Sequence, residues 1–304
     1  MATYFLNLAA TVRAAAQISL QWCTFRLDMN YATIVNSVIE EHKSSPIDML
    51  GIGDMLGEYK YLKNLRESYI RTVSDIDRYM GTGREIKHCL EIGAFLGAVS
   101  ISLRKLGYRV SALDIPEFYN SANLRELYRR NDVDFGGLNL RSSKLPFESN
   151  TFDAVVICEV IEHLNFNPLP TLLEINRVLK PGGYLYIGMP NQASLKNRIR
   201  LLKGHSIHNP IQDFFQQLDR SDNMIVGLHW REYTMPETID LIGRMGFKTL
   251  ESYYFMGSEY NSKFPKSIIK KLIYSHAALK PFQVVIGQKE STPSFDFWQT
   301  EANS

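Results

Sequence analysis

A short run of acidic and histidine residues, EVIEH at positions 159–163, has the greatest potential for chemistry in this sequence. In a helix, positions i, i+3 and i+4 lie on one face, so Glu159, Glu162 and His163 are expected to converge. Carboxylate and imidazole groups together suit Mg²⁺, Mn²⁺ or Zn²⁺, and a histidine can instead act as a general base. The third alternative is that the histidine makes only structural hydrogen bonds and the site merely positions its reactants.

A glycine-containing turn forms the second candidate site. The segment CLEIGAFLG, residues 89–97, places Glu91 near the end of an apolar, strand-like run, with Gly93 and Gly97 after it. Glycine lets the backbone turn sharply and approach a ligand closely. Asp114 ends the next predicted strand, where its carboxylate can accept both hydroxyls of a ribose. A dinucleotide-dependent dehydrogenase is disfavoured because the acid precedes the glycines and the GxGxxG spacing is absent.

Both candidate sites follow strands in a chain that alternates strand and helix patterns. The apolar periodicity predicts helices over 97–106, 170–179 and 236–245, and strands over 88–92, 109–113, 152–158, 184–189, 248–255 and 282–287. This alternation predicts an α/β fold with a doubly wound, parallel sheet. Ligands bind at the carboxyl ends of the strands in such sheets, where both candidate sites lie.

Three further stretches are predicted to surround this core. Residues 1–83 show helical periodicity and no strand pattern, so we expect an N-terminal helical cap that contributes to substrate binding. The main domain is predicted over 84–290. Within it, 192–228 is a connection too long for a plain turn and is expected to set substrate specificity. Residues 291–304 are predicted to form a flexible tail.

Composition narrows the class of protein. The 304 residues carry a formal net charge of +2, so the whole chain has no electrostatic bias toward nucleic acid or membranes. Cys23, Cys89 and Cys158 form no CxxC pair, which argues against a zinc knuckle and fits a cytoplasmic location. The apolar residues 1–23 lack the charged start of a signal peptide and are too interrupted for a transmembrane segment. We expect an amphipathic helix there, docked on the domain or in contact with a membrane surface.

Four motifs, in order, resemble those of the class I S-adenosylmethionine (SAM) dependent methyltransferases. They are CLEIGAFLG (89–97), LPFESNTFDAVVICEVIEHL (145–164), LEINRVLKPGGYLYIGMPN (173–191) and HWREYTMPETIDLIGRMGF (229–247). The resemblance implies SAM as cofactor and a Rossmann-like α/β fold, with a doubly wound, mostly parallel seven-stranded sheet and an N-terminal helical cap. It implies that the cofactor is bound by Glu91, Gly93, Ala94, Phe95, Gly97, Asp114, Ile115, Ser142 and Glu159.

The sequence departs from this family at two positions of the cofactor site. Phe95 replaces the middle glycine of the (D/E)xGxGxG motif, so either the backbone there has a negative φ or the loop is rearranged. The family often has an acidic residue before LPF that binds the adenine amine. Here Ser142 or a backbone group is expected to replace it. These departures motivate one alternative, a SAM-fold binding protein without catalytic activity.

The EVIEH string also resembles the metal ligands of plant small-RNA 2′-O-methyltransferases, and it occurs in ubiquinone-pathway O-methyltransferases. In the former, a distant histidine completes the metal site, and His229 is the matching residue here. The resemblance implies Mg²⁺ or Mn²⁺ bound by Glu159, Glu162, His163 and His229. Without a metal, His163 or His229 is the candidate general base, and Glu159 is expected to line the methionine end of SAM.

The expected acceptor is a small molecule, a sugar or a lipid-linked intermediate methylated on oxygen. The segment SLKNRIRLLKG, residues 194–204, resembles bacterial methyltransferases of glycan and secondary-metabolite pathways. Its basic residues either bind a phosphate or anionic carrier or form a solvated helix face: Lys196, Arg198, Arg200 and Lys203. The NPPY motif of amino-group methylation is absent, which favours oxygen or carbon. RNA 2′-O-methylation ranks second, because nothing here resembles an RNA-binding appendage.

Overall fold

In the computed structural model, the described residues are 30–44, 55–81, 85–141, 144–215, 227–257 and 273–293. The helices among them are α1 (Tyr31–Ser44), α2 (Met55–Asn64), α3 (Arg66–Met80), α4 (Ala98–Lys105), α5 (Pro116–Tyr119), α6 (Ala122–Arg130), α7 (Leu169–Val178), α8 (Leu195–Leu202), α9 (Ile211–Phe215) and α10 (Met235–Arg244). The strands are β1 (His88–Ile92), β2 (Arg109–Asp114), β3 (Asp134–Gly137), β4 (Phe152–Cys158), β5 (Leu179–Pro190), β6 (Phe247–Phe255) and β7 (Phe282–Lys289).

The seven strands form one sheet in the order β3-β2-β1-β4-β5-β7-β6. Strands β1 to β5 pair in parallel, and β7 runs antiparallel to both β5 and β6. The predicted Rossmann-like, doubly wound, mostly parallel sheet is confirmed. The chain leaves β1 toward β2 and later returns to place β4 on the other side of β1. The carboxyl ends of β1 and β4 therefore form the topological switch point at which such sheets bind ligands.

Both faces of the sheet are buried, which explains the continuous apolar runs of the central strands. Side chains of a strand alternate between faces, and in β4 Val156 packs in one core while Val155 and Ile157 pack in the other. Helix α7 covers the second face through residues such as Ile175. This double burial fixes the strand register and hence the positions of the residues that follow each strand.

The N-terminal helices cover the other face of the sheet. Val35 of α1, Leu62 of α2 and Val73 of α3 lie in the same core as β4 residue Val156. This layer also contacts the turn after β1, where His42 Nε2 of α1 lies 2.8 Å from the backbone oxygen of Leu96. The described part of the predicted cap therefore packs directly on the sheet. The helix expected within residues 1–23, the boundary at 82–84 and the tail from 294 onward lie outside the described residues.

Two local predictions differ from the structure. Strand β3 was not among the predicted strands, because its sequence, DFGG, carries two glycines and little apolar periodicity. The helix expected at EVIEH is wrong, since only Ile161–His163 form a single 3₁₀ turn. Glu159 has φ +56°, in the left-handed region, so the chain turns sharply directly after β4. No helix in the described part of the chain is long and apolar enough to cross a membrane.

Candidate active site

A cavity of about 420 Å³ opens at the carboxyl ends of β1, β2 and β4. Its lining includes eight of the residues singled out in the sequence: Glu91, Gly93, Ala94, Phe95, Asp114, Ile115, Glu159 and His163. Gly97 precedes α4 and is not in the lining. On the other side, the lining includes Tyr61 of α2, Tyr69 of α3 and Leu65, which lies between these helices. The cavity thus lies between the sheet and the N-terminal helices, at the switch point of the fold.

The turn after β1 requires glycine at Gly93. Its φ is +76°, and a Cβ built there would lie 2.1 Å from Val160 Cγ2. The backbone N–H groups of Gly93 and Ala94 donate to the backbone oxygen of Leu113, at 2.8 and 3.2 Å. The turn is therefore bound to the end of β2 and packed against the residue that follows Glu159.

Phe95 has a left-handed backbone conformation although it is not a glycine. Its φ is +46°, so the alternative of a negative φ is wrong. Such a conformation costs a non-glycine residue about 1–3 kcal/mol. Its ring contacts Tyr61 and Phe118, with centroids 5.5 and 5.6 Å apart, and its N–H donates to Asp114 Oδ2 at 2.6 Å. These contacts compensate for the strain and hold the turn beside Asp114.

Asp114 is a buried carboxylate whose orientation is fixed by the backbone. Oδ2 accepts from the N–H of Phe95, and Oδ1 accepts from the N–H of Ile115 at 2.7 Å. Burial raises the pKa of Asp114 to about 6. The side chain is therefore mainly ionised at neutral pH. It lines the cavity with further lone pairs able to accept hydrogen bonds from a ligand.

Glu91 lies beneath the same turn. Its carboxyl group accepts a short hydrogen bond from Ser100 Oγ of α4, and burial raises its pKa to about 8. The side chain is thus mainly protonated at neutral pH, in contrast to Asp114. This hydrogen bond connects the end of β1 to the first turn of α4.

A group of three side chains, Glu162, His163 and His229, forms the second part of the site. Their potential ligand atoms all lie within 4.8 Å of one another, and we call them the Glu-His-His cluster. Glu162 Oε1 lies 3.9 Å from His163 Nε2, and the two imidazole centroids are 4.8 Å apart. Glu159 is not a member of this group, which corrects the predicted convergence of all four residues. Glu159 instead lines the cavity, with its N–H donating to Gly188.

Both histidines of the cluster are oriented through Nδ1. His163 Nδ1 lies 2.8 Å from the backbone oxygen of Leu228, and His229 Nδ1 lies 2.8 Å from Glu232 Oε1. A carbonyl oxygen only accepts, so His163 Nδ1 carries the proton and the lone pair is on Nε2. Burial, reinforced by the neighbouring His229, lowers the pKa of His163 to about 4. His163 is therefore a neutral imidazole at physiological pH.

Glu162 is fully buried, and neither of its carboxylate oxygens has a hydrogen-bond partner within the described ranges. Burial raises its pKa to about 8. Its backbone oxygen accepts from the N–H of Trp230 at 2.7 Å, which ties the 3₁₀ turn to the segment that carries His229. A buried carboxyl group without partners is unfavourable, so this arrangement points to a proton, a cation or a ligand as its complement.

The structure adds residues that the sequence analysis did not single out. Glu232 orients His229 and also accepts from Asn197 Nδ2 of α8 at 3.0 Å. In the sequence, this role of Glu232 is indicated by its position three residues after His229 in the HWRE segment. Tyr61 and Leu65 of the cap line the cavity, and no motif marked them. Ser142, the residue expected near the adenine, lies outside the described residues.

Comparison with known proteins agrees with this geometry. The methyltransferase domain family matches residues 90–187. A ubiquinone biosynthesis O-methyltransferase of Xanthomonas oryzae is 32% identical over 34% of this chain and 43% of its own length. The chain thus spans less than half of that relative. A probable SAM-dependent methyltransferase of Mycolicibacterium smegmatis is 28% identical over 66% of this chain and 67% of its own length.

Structural similarity extends over more of the chain. The 1,6-didemethyltoxoflavin-N1-methyltransferase of Burkholderia thailandensis, solved with that compound and S-adenosylhomocysteine, has a TM-score of 0.50 at 15% identity. The alignment covers 86% of this chain and 89% of that protein, and at this identity it supports the fold. The match over 90–187, the sheet order and the turn between β1 and α4 are those of a methyltransferase domain with a Rossmann-like fold.

Proposed function

We propose that this protein transfers the methyl group of SAM to an oxygen of a small-molecule, sugar or lipid-linked acceptor. One observation carries the proposal: a single cavity is lined by both Asp114 and His163. Asp114 lies on the side of the cavity that is suited to a nucleoside. His163 belongs to the Glu-His-His cluster, which is suited to proton transfer. Such a cavity can hold the cofactor and bring an acceptor to the cluster.

The cofactor site is proposed from the geometry of the turn after β1. The Asp114 carboxylate, already fixed by two backbone N–H groups, accepts the two ribose hydroxyls. Ile115, which follows Asp114, and Leu140 line the cavity and provide apolar surface for the adenine, and Ser142 is a further proposed contact. Glu159 lines the methionine end.

Methyl transfer from a sulfonium is a displacement in which positioning supplies much of the rate enhancement. An oxygen nucleophile must also lose its proton, which a neutral imidazole can accept. His163 is available for this role, because Nδ1 already donates to Leu228 and the lone pair on Nε2 can accept the proton. Its lowered pKa keeps the imidazole neutral at physiological pH, although it also makes the imidazole a weaker base. His229 is the alternative base, with Glu232 positioned to stabilise its protonated form.

A divalent cation also fits the Glu-His-His cluster. The buried carboxylate of Glu162 without partners would gain a counter-charge, and His163 and His229 would each offer Nε2. The hydrogen bond from His229 to Glu232 is the arrangement by which carboxylates orient metal-binding histidines. Two imidazoles with one carboxylate suit Mn²⁺ or Zn²⁺ better than Mg²⁺. When bound, the cation would favour ionisation of an acceptor hydroxyl.

The remaining parts of the chain are assigned supporting roles in the proposal. Residues 1–83 act as a helical cap that contributes Tyr61 and Leu65 to the cavity, and 192–228 selects the acceptor. Cys89 and Cys158 are buried free thiols, which fits a reducing, cytoplasmic environment.

The test is methyl transfer from isotopically labelled SAM to a panel of phenols, catechols, sugars and isoprenoid-linked phenols. We expect a methylated product from wild type. His163→Ala should lower turnover about 100-fold while S-adenosylhomocysteine affinity stays within twofold. His205→Ala, an exposed histidine outside both the cavity lining and the cluster, is the matched control. Full activity of His163→Ala would refute the base assignment. SAM binding without turnover on any acceptor would favour a binding protein.

A further inference from the structure

A second cavity, of about 240 Å³, lies next to the first. Its lining includes Lys196 and Arg200 of α8, together with His208 and His229. Gly227 lines both cavities. His163 lines the first and His229 the second, and these two imidazoles are in contact. The two cavities therefore meet at the histidines of the Glu-His-His cluster.

The charged groups of the second cavity are unbalanced. Lys196 and Arg200 are four residues apart on α8 and so lie on one face of that helix. Neither forms an ion pair with any residue that the structure describes. Arg200 uses Nε to donate to Ser206, which fixes the guanidinium and leaves its terminal nitrogens for a ligand. Two permanent cations thus face the cavity.

The acidic residue in the same lining, Glu232, forms no ion pair with these cations and offsets only one of the two positive charges. Glu232 Oε1 is 2.8 Å from His229 Nδ1, and Oε2 accepts from Asn197 Nδ2 at 3.0 Å. Both oxygens of Glu232 are therefore committed to positioning its neighbours. His208 adds imidazole nitrogen to the lining, and the backbone N–H of His229 donates to Asn209 Oδ1. The cavity is polar, positively charged and bordered by the proposed catalytic histidines.

We infer that the second cavity binds an anionic group of the acceptor, and specifically a phosphate ester. A phosphate is opposite in charge to Lys196 and Arg200, and its oxygens accept hydrogen bonds from both side chains. An acceptor held there would present its hydroxyl to His163 and His229 through an entrance separate from that of the cofactor. This inference rests on the proposed function and narrows its substrate class.

The experiment measures phenyl phosphate and phenol binding by calorimetry, using full-length protein saturated with S-adenosylhomocysteine. The test variant is Lys196→Gln/Arg200→Gln. The matched control is Arg198→Gln/Lys203→Gln, which removes the same charge from the same segment outside the cavity lining. We expect wild type to bind phenyl phosphate in preference to phenol. The test variant should lose about tenfold or more in affinity and the control less than about twofold.

Three outcomes would overturn the inference. Equal losses in both double variants would show general attraction by a basic surface. Preference for a single-stranded RNA oligonucleotide, weakened equally in both variants and by salt, would assign α8 to nucleic acid. Absence of phenyl phosphate binding while S-adenosylhomocysteine binds would refute this cavity assignment and leave the proposed function intact. Failure of S-adenosylhomocysteine itself to bind would instead refute the proposed function. Melting temperatures of both variants establish that they are folded.

Discussion

Asp114 and Glu162 are two buried carboxylates near the same cavity, in different surroundings. Asp114 accepts two backbone N–H groups, whereas neither oxygen of Glu162 has a hydrogen-bond partner in the described parts of the chain. Burial raises both pKa values, to about 6 for Asp114 and about 8 for Glu162. The side proposed for the cofactor is thus preformed by the backbone. On the side proposed for the acceptor, Glu162 would gain its missing partner from a proton, a cation or the acceptor.

The largest expected effect tests whether the cofactor side is preformed. Gly93→Ala should lower S-adenosylhomocysteine affinity by about 100-fold or more, because a side chain there meets both an unfavourable φ and Val160. Calorimetric titration measures the change. Gly243→Ala is the matched control, since a Cβ at Gly243 has no neighbour within 4 Å. Normal binding by Gly93→Ala would show that the turn does not contact the cofactor.

For Glu162→Gln, on the acceptor side, we expect the opposite pattern, in which turnover falls and cofactor affinity does not. Turnover should fall about 100-fold, because the neutral amide can neither balance a cation nor stabilise a protonated histidine. S-adenosylhomocysteine affinity should stay within twofold, and stability at pH 8 should not decrease, because a buried carboxylate without partners is removed. Initial rates, calorimetry and urea unfolding test the three expectations. Unchanged turnover with a large loss of stability would assign Glu162 a structural role.

Asp114→Asn should weaken S-adenosylhomocysteine binding by about 1–3 kcal/mol, since a charged hydrogen-bond acceptor is lost. Calorimetry measures this difference. Glu126→Gln, which removes an exposed acid of α6, is the control and should bind normally. If both variants bind as tightly as wild type, the ribose assignment of Asp114 is wrong.

A smaller effect follows from the pKa of Asp114. This pKa is raised, so the carboxylate is neutralised as the pH falls through about 6 rather than near 4. S-adenosylhomocysteine affinity of wild type should therefore decrease below pH 6, by at most about tenfold per pH unit. The affinity of Asp114→Asn should change less over the same range, because its amide does not titrate. Parallel pH profiles of the two proteins would contradict this explanation.

The last prediction concerns stability, which depends on Glu91, and not ligand affinity. Its pKa is raised from 4.5 to about 8, so its contribution to stability is complete below pH 4.5 and is lost as the pH rises through 8. Glu91→Gln imitates the protonated form. The free energy of unfolding of wild type, relative to this variant, should therefore decline between pH 5 and pH 8. A difference that stays constant in urea titrations at these pH values would contradict the raised pKa.

Sequence reasoning succeeded where local pattern determines structure. Apolar periodicity located β1 and β4, and the residue types at the strand ends located Asp114 and the turn at Gly93, all of which the structure places around the cavity. It failed at EVIEH because helical spacing was assumed, whereas the chain turns at Glu159 directly after β4. The left-handed backbone of Phe95 was also missed, because its contacts with Tyr61 and Asp114 come from distant segments.

The Glu-His-His cluster could not be located from residue spacing alone, because tertiary contacts assemble it. His163 and His229 are far apart in sequence, and hydrogen bonds between the 3₁₀ turn and residues 228–231 join the two segments that carry them. The resemblance to a metal-binding family indicated this pair, but the same resemblance included Glu159, which lies outside the cluster. The sequence indicated Lys196 but not Glu232, and the position of α8 beside His229 connects both residues to the cluster.

Calorimetric titration of the purified protein with S-adenosylhomocysteine and SAM, in EDTA and with added Mn²⁺, tests the central claim most directly. Asp114 and the turn at Gly93 are separate from the Glu-His-His cluster. The account therefore predicts micromolar binding of both nucleosides with the same affinity in EDTA and in Mn²⁺. Absence of binding under both conditions would contradict the assignment of this cavity to the cofactor.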